Sequence, residues 1–242
     1  MLLTIDFQKE KKRLQQENRD KISKMLNNIQ QCSTWGDKIN LLDKYQEAHL
    51  YTIADKIGVE PQELMDSIIC NPLFGQVVFM KEIERTGYQE RLQFSVLSTQ
   101  SKLVLNMINM LVSGKNAIAI LYGKVIKPQR GKGTKSIDFI GQTKSGYNIF
   151  IAAKYTNGCG GGQDNQALDL ECFAKEAPLF GDDNIIVLLA DGSYYEKSYS
   201  GEENFYSYIQ THYSDKNAFT TDIAYFDIKL KGFLKRLEGD GK

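Results

Sequence analysis

An aspartate and a lysine stand near the ends of two apolar segments, and together these residue types suit a metal site. Asp138 lies in the segment SIDFIG, and Lys154 ends the segment YNIFIAAK. Both segments have the composition of short β-strands, and the residues 144–146 (KSG) between them are typical of a hairpin loop. The chemistry therefore depends on whether the hairpin brings the two side chains together.

The length of the loop decides which residues face each other in this hairpin. A three-residue loop at 144–146 places Asp138 opposite Ala152, and Gly146 suits the left-handed position that such a loop requires. Because side chains alternate along a strand, Asp138, Ala152 and Lys154 then share one face and could form a metal site. A two-residue turn would remove this alignment and leave an ordinary exposed ion pair.

This layout resembles the PD-(D/E)xK nucleases, the superfamily of most type II restriction endonucleases. Their pattern is an acid on one strand, an acid-x-Lys triplet at the end of the next strand, and a following helix. Ser136-Ile137-Asp138 matches the first part and Ala152-Ala153-Lys154 matches the second. The resemblance covers about residues 95–195. It implies an α/β fold with a restriction-endonuclease-like core, in which helices flank a mixed central sheet.

The resemblance also implies a cofactor and a role for each motif residue. It assigns catalysis to Asp138, Ala152 and Lys154, and metal binding to Asp138, Ala152 and Ala153. Mg²⁺ prefers hard oxygen ligands and would activate a water and stabilise the charge developing on a DNA phosphate. Lys154 would orient or deprotonate that water and neutralise the phosphate.

Ala152 departs from the family, which has Glu or Asp at this position, so one metal ligand is missing. Two interpretations remain open. In one, alanine replaces a parental acid, most simply glutamate, and the protein binds DNA without cutting it. In the other, the site is naturally degenerate or takes a carboxylate from elsewhere. Glu82, Glu84 and Glu90 lie upstream, where similar enzymes sometimes supply an acid, but nothing in the sequence singles one out.

Basic and amide side chains near the motif are candidates for DNA contacts. Four positive charges without an intervening acid come before Asp138, and they could bind phosphates, reach a base edge or form only a solvated loop. The amides that follow the glycine-rich segment 157–162 could contact adenine or cap a helix. The predicted DNA-binding residues are Lys127, Arg130, Lys132, Lys135, Gln163 and Asn165.

The order of elements after residue 116 predicts an α/β core. We expect a β run in AIAILYGKVI, the hairpin, a helix from Gln163 to Glu176, a strand in NIIVLLADGSYY and a helix at 202–213. Upstream, residues 76–97 are predicted as strands or the start of a helix. Residues 98–113 are predicted as a core helix, with apolar residues at helical spacing, Ser98 or Thr99 as its cap and Gly114 at its end.

The N-terminal part is predicted to be helical. Residues 5–31 have the composition of an exposed helix, and a second helix is expected from Asp37 to Lys56. Gly58 and Pro61 then mark a turn, so residues 53–68 read as a helical hairpin that is either structural or DNA-contacting. We divide the chain into an N-terminal helical region at 1–75, as a DNA-recognition or dimerisation element, and a nuclease core at 76–242.

Composition narrows the class of protein further. The 30 basic and 30 acidic residues cancel, so any positive field for DNA must be confined to one cleft. No apolar stretch is long enough to cross a membrane, and no signal peptide is visible, which predicts a cytoplasmic protein. The chain has only two histidines, and its cysteines show no CxxC spacing, which argues against zinc and a disulfide framework. The four cysteines are Cys32, Cys70, Cys159 and Cys172.

These features together predict a type II restriction endonuclease that acts on double-stranded DNA as a homodimer, since two-fold protein symmetry matches a short palindrome. With Ala152, it should bind DNA and cut it poorly. The alternatives are a repair or junction-resolving nuclease of the same superfamily, a non-catalytic DNA-binding protein and a protein-interaction module.

Overall fold

The computed structural model describes residues 6–80, 88–100, 104–111, 117–128, 135–156, 161–213 and 217–239. The chain divides into a helical unit, Asp6–Tyr88, and an α/β unit that contains Gln89–Lys242. The sequence-based division at residue 75 falls inside a helix, Pro72–Phe79, of the helical unit. Among the helices of the described ranges, none is both long and apolar enough to span a membrane.

The helical unit is built around apolar side chains that recur at helical spacing. The first helix buries Ile22, Leu26 and Ile29 on one side and exposes its charged residues, which confirms the exposed amphipathic helix expected at 5–31. These side chains share a core with Leu50 and Met65 from later helices. The helices are α1 (Phe7–Gln30), α2 (Trp35–Asn40), α3 (Lys44–Ile57), α4 (Pro61–Cys70) and α5 (Pro72–Phe79).

The single helix predicted from Asp37 to Lys56 is wrong, because α2 and α3 are separate. Asp43 starts α3 with a capping box: its carboxylate accepts from the N–H groups of Tyr45 and Gln46, each at 2.8 Å. The Gln46 side chain accepts from the Asp43 N–H in return. This exchange satisfies free helix-end donors, so it favours a new helix start at Lys44 over continuation of α2.

The helical hairpin predicted at residues 53–68 is confirmed. Gly58 ends α3 in the left-handed conformation with φ of 72°, which glycine adopts without steric cost. Pro61 occupies the first turn of α4, where no intrahelical N–H bond is lost.

The α/β unit contains a five-stranded mixed sheet with the order β1-β4-β5-β6-β7. The pairs β1–β4 and β4–β5 are antiparallel, whereas β5–β6 and β6–β7 are parallel. The strands are β1 (Leu105–Met110), β2 (Ala119–Leu121), β3 (Lys124–Ile126), β4 (Phe139–Thr143), β5 (Asn148–Tyr155), β6 (Asn184–Asp191) and β7 (Ala218–Thr221). The helices are α6 (Tyr88–Gln100), α7 (Gly161–Glu176), α8 (Phe205–Tyr213) and α9 (Phe226–Gly239). The predicted α/β class with a mixed sheet flanked by helices is therefore confirmed.

Side chains alternate along β5 and β6, so the sheet has a core on each face. Ala152 and Leu188 belong to the α7-side core, which also contains Leu170 of α7 and residues of α8. Ile151 and Val187 belong to the α9-side core, with residues of α6 and α9. Burial on both faces explains the nearly continuous apolar runs of these two strands.

The core helix predicted at 98–113 is wrong. Helix α6 ends at Gln100, and β1 begins at Leu105 and pairs with β4. Ser98 and Thr99 lie inside α6, where both hydroxyls donate to the Ser95 carbonyl instead of capping a helix. The predicted helix end, Gly114, lies outside the described residues. In a short apolar run, the spacing of apolar residues fits a helix and a strand equally well. Here the pairing with the distant strand β4 stabilises the strand.

Three other segments agree with the predictions only in part. Of the two alternatives for residues 76–97, the helix is the one found: these residues contribute to α5 and α6 and form no strand in the described part. The run AIAILYGKVI is a separate two-stranded hairpin, β2–β3, with a turn at Tyr122 and Gly123. Strand β7 and helix α9 were not predicted; both lie within the segment 76–242 assigned to the nuclease core.

Candidate functional site

The β4–β5 hairpin has the predicted three-residue loop, and its register is the predicted one from Gln142 to Phe139; the predicted pairing of Asp138 with Ala152 is not part of the ladder. Gly146 adopts a φ of 96°, and Phe139 pairs with Ile151 at the last step of the ladder. The N–H of Asp138 then donates to the Ile151 carbonyl at 3.0 Å, although the next N–H of a regular strand would point away from β5. The chain therefore bends at Asp138, directly where β4 begins.

This bend turns the Asp138 carboxylate toward the backbone of β5. Its Oδ2 accepts a hydrogen bond from the Ala153 N–H at 2.8 Å. The bond takes the place of a ladder bond beyond the end of β4, so Asp138 is fixed next to the triplet Ala152-Ala153-Lys154. The sequence predicted this proximity, but not that backbone hydrogen bonding would produce it.

A polar cleft of about 220 Å³ lies at the carboxyl end of β5. Three elements of the α/β unit line it: α6, the end of β5 and α7. Lys154, half-buried, contributes from the strand. The lining residues are Gln89, Glu90, Gln93, Ala153, Lys154, Tyr155, Gln166 and Asp169. The cleft therefore combines charges of both signs with several amide groups.

The groups around Asp138 affect its pKa in opposite directions. Burial of its carboxyl raises the pKa of Asp138, and Glu90 raises it further, whereas the Lys154 ammonium and the Ala153 N–H lower it. Glu90 and Lys154 line the cleft together with Ala153, whose N–H bonds to the Asp138 carboxylate. Of the three upstream acids, Glu90 is thus the one beside the site; Glu82 and Glu84 lie outside the described residues.

Of the predicted metal ligands, position 152 contributes no side-chain ligand atom. Ala152 is 0% exposed and packs in the α7-side core, so position 152 supplies no ligand atom from its side chain. Among the described residues, no three Asp, Glu, His or Cys side chains form a group that could hold a metal ion. Asp138 and Glu90 offer two carboxylates, and proteins usually hold Mg²⁺ through one or two carboxylates with water in its other positions.

The predicted DNA-binding residues are only partly near the cleft. Lys127 is exposed after β3, and the Lys135 ammonium lies 3.2 Å from the carboxylate of Asp169, which lines the cleft. Such an exposed ion pair contributes little to stability. Gln163 and Asn165 lie in the first turns of α7. Arg130 and Lys132 lie outside the described residues.

A buried acid, not predicted from the sequence, lies beside the cleft. Asp191, at the end of β6, accepts a hydrogen bond from the Gln93 side chain and another from the Ile223 N–H at 2.8 Å. One carboxylate thus joins α6, β6 and the segment before α9. Gln93 follows Glu90 by one helical turn, so Asp191 also helps to hold Glu90 at the cleft. The partners are 98 residues apart, and no local pattern could have shown the bond.

We expect Asp191→Asn to change how stability depends on pH. Burial raises the pKa of Asp191 to about 6 from 3.8, Asp222 adds to the rise, and the bonds from Gln93 and Ile223 oppose it. The folded protein therefore holds this proton more tightly than the unfolded chain. Its contribution to stability is complete below pH 3.8 and is lost as the pH rises through about 6. At 1.36 kcal/mol per pKa unit, the loss is about 3 kcal/mol.

Urea unfolding at several pH values measures this effect. Between pH 3 and pH 7, the parent should lose about 3 kcal/mol relative to Asp191→Asn, because asparagine keeps the shape and stays neutral. Asp182→Asn, at an exposed loop position, is the matched control and should follow the parent. Parallel curves for the parent and Asp191→Asn would contradict the assignment.

The site as a whole places one ammonium group beside three carboxylates. Lys154 lines the cleft with Glu90 and Asp169, and Asp138 accepts a hydrogen bond from the adjacent Ala153 N–H. Carboxylates beside a lysine are groups that can transfer a proton or bind a cation. Comparison of the chain with protein-family models and with curated protein sequences gives no match. Any functional assignment therefore depends on the geometry of this site.

Proposed function

We propose that this chain is a DNA-binding protein of the type II restriction-endonuclease kind, with a hydrolytic site that lacks the acid at position 152. One observation carries the proposal: the bend at the start of β4 places Asp138 beside Ala153 and Lys154, in the α/β unit and next to a polar cleft. A surface ion pair needs neither the bend nor the backbone bond to Ala153.

The order of elements supports a restriction-endonuclease-like core. The α/β unit begins with α6, continues with the antiparallel strands β1, β4 and β5, and reaches the parallel strand β6 through α7. The acid and the lysine come from the central hairpin of this arrangement, and α7 follows directly. This is the motif order implied by the resemblance to PD-(D/E)xK nucleases.

In the proposed function, the lysines bind the DNA backbone and the acids belong to the hydrolytic site. Lys154 neutralises a DNA phosphate at the mouth of the cleft, and Lys127 and Lys135 extend the positive surface along the duplex. Asp138 and Glu90 are two acids of the site, and a restored acid at position 152 would be the third. The proposal includes a homodimer, since a palindromic site presents two equivalent strands to two equivalent subunits. It also includes a cytoplasmic location.

The experiment is cleavage of a mixed-sequence plasmid by the Ala152→Glu protein, with Mg²⁺ and with EDTA. We expect discrete fragments with Mg²⁺ alone, because the glutamate supplies the acid that the triplet at 152–154 lacks. Ala152→Gln is the matched control, with the same size and no charge, and should not cleave. Since position 152 is buried, thermal unfolding of both variants must first show that they fold.

The outcomes separate the alternatives. Cleavage that follows DNA structure instead of sequence would indicate a repair or junction-resolving nuclease. A folded Ala152→Glu protein that does not cut but binds DNA with strong salt dependence would indicate a non-catalytic DNA-binding protein, as the burial of Ala152 also allows. A folded protein with neither property would overturn the proposal.

A further inference from the structure

Tyr195 has a buried hydroxyl without a hydrogen-bond partner in the described part of the chain. Its side chain is 0% exposed. Buried hydroxyls are nearly always paired, because leaving one unpaired costs the full loss of its bonds to water. By contrast, the nearby Tyr206 hydroxyl donates to the Ala190 carbonyl at 2.6 Å. The Tyr195 hydroxyl is therefore a buried donor that lacks an acceptor in the described part of the chain.

The position of Tyr195 in the sheet indicates where an acceptor for its hydroxyl would lie. Tyr195 follows β6, and its ring lies in the α7-side core that also contains Ala152. Strand β6 ends at Asp191, opposite Tyr155 at the end of β5, where the cleft lies. Because Tyr195 follows this end of β6 and packs in the α7-side core, it lies toward the cleft end of the sheet, on the face to which Ala152 points. Burial is the main cause of the raised pKa of Tyr195, and the neighbouring Tyr206, Tyr194, Asp191 and Asp169 add to it.

We propose that the Tyr195 hydroxyl is the hydrogen-bond donor for a carboxylate at position 152, and that it holds this carboxylate at the edge of the cleft. The inference rests on the proposed function, in which position 152 requires an acid. A glutamate extends beyond the alanine Cβ by a methylene and a carboxylate, directed into the core that holds Tyr195. A buried carboxylate needs such a donor, and a hydrogen bond to a charged acceptor is stronger than a neutral one. Tyr195 is then a positioning residue.

The test is a double-mutant cycle of Tyr195→Phe with Ala152→Glu, followed by thermal unfolding. In the protein with Ala152, Tyr195→Phe should leave the melting temperature unchanged or raise it by about 2–4 °C, because it removes an unpaired hydroxyl. In the Ala152→Glu protein the same change should lower it by about 2–4 °C or more. The sign reversal is the expected result, and a structural role for the tyrosine ring would not produce it.

Tyr206→Phe is the matched control, since it removes a buried hydroxyl that already has an acceptor. It should lower the melting temperature equally in both backgrounds. If Ala152→Glu does not fold, Ala152→Gln provides a neutral acceptor of the same length for the same cycle. Mg²⁺ titration by calorimetry is the second readout: Tyr195→Phe should weaken Mg²⁺ binding to the Ala152→Glu protein at least ~10-fold.

Two results would overturn the inference about Tyr195. One is a lower melting temperature for Tyr195→Phe in the protein with Ala152, which would show that the hydroxyl already has an acceptor. The other is an equal shift in both backgrounds. Neither readout requires cleavage, so a sign reversal without nuclease activity would uphold the role of Tyr195 and count against the nuclease.

Discussion

Asp138→Asn in the Ala152→Glu protein is expected to reduce Mg²⁺-dependent cleavage at least ~100-fold, equivalent to about 2.7 kcal/mol of barrier. Asparagine removes one of the few negative oxygens beside the cleft, while its carbonyl oxygen can still accept the hydrogen bond from the Ala153 N–H. The fold and the bend at the start of β4 should therefore survive. The loss should fall on catalysis and not on structure.

Single-turnover cleavage of one plasmid, with the protein in excess, measures this loss. DNA binding by fluorescence anisotropy should stay within about twofold of the Ala152→Glu parent or tighten, because the change removes a negative charge near the phosphate. Asp182→Asn, at the loop before β6 and at the opposite end of the parallel strands, is the control and should cut at the parental rate. Equal cleavage by Asp138→Asn and the control would exclude Asp138 from the site.

The parts of the fold that local pattern determines were predictable. The loop at 144–146 fixed the hairpin register because its length and Gly146 leave few alternatives. Helix α7 follows from a polar N-terminal turn and a helical apolar spacing, and β6 from a long apolar run. These elements also carry Lys154, so one half of the site could be placed from the sequence alone.

The remainder of the site depends on contacts between distant residues. Glu90 and Gln93 reach the cleft only because α6 is a helix that packs near the ends of β5 and β6, and the composition of 76–97 left helix and strand both open. Asp191 ends an apolar strand like many surface acids, and its bond to Gln93 appears only in the folded chain. The spacing of apolar residues in β1 fits both a helix and a strand, and the pairing with β4 favours the strand.

The second large effect is expected for Gly123→Ala in the β2–β3 hairpin. An alanine Cβ at this position would lie 1.9 Å from the Leu179 carbonyl oxygen, and the residue has a φ of +66°. The backbone of the turn or of Leu179 would have to move, and the left-handed conformation adds its own strain. We expect the variant to lose roughly 3 kcal/mol of unfolding free energy, or about 6–12 °C in melting temperature.

Gly146→Ala separates the two causes. Gly146 is also left-handed, with φ of +96°, but an added Cβ there meets no atom within 4 Å. It should lose only the conformational part, roughly 1 kcal/mol. The difference between the two variants in urea unfolding measures the close approach of Gly123 to Leu179. Equal losses would mean that the hairpin does not rest on Leu179.

The contact at Gly123 also bears on the site, because the Gly123 N–H donates to the Glu176 carboxylate at 3.0 Å and ties the hairpin to the end of α7. The segment after β3 carries Lys127 and leads to Asp138. Loosening the hairpin should therefore weaken salt-sensitive DNA binding in Gly123→Ala, measured at a temperature where the variant is still folded. Gly146→Ala should keep the parental affinity. If both variants bind DNA like the parent, the hairpin contributes to stability alone, and Lys127 does not reach the duplex.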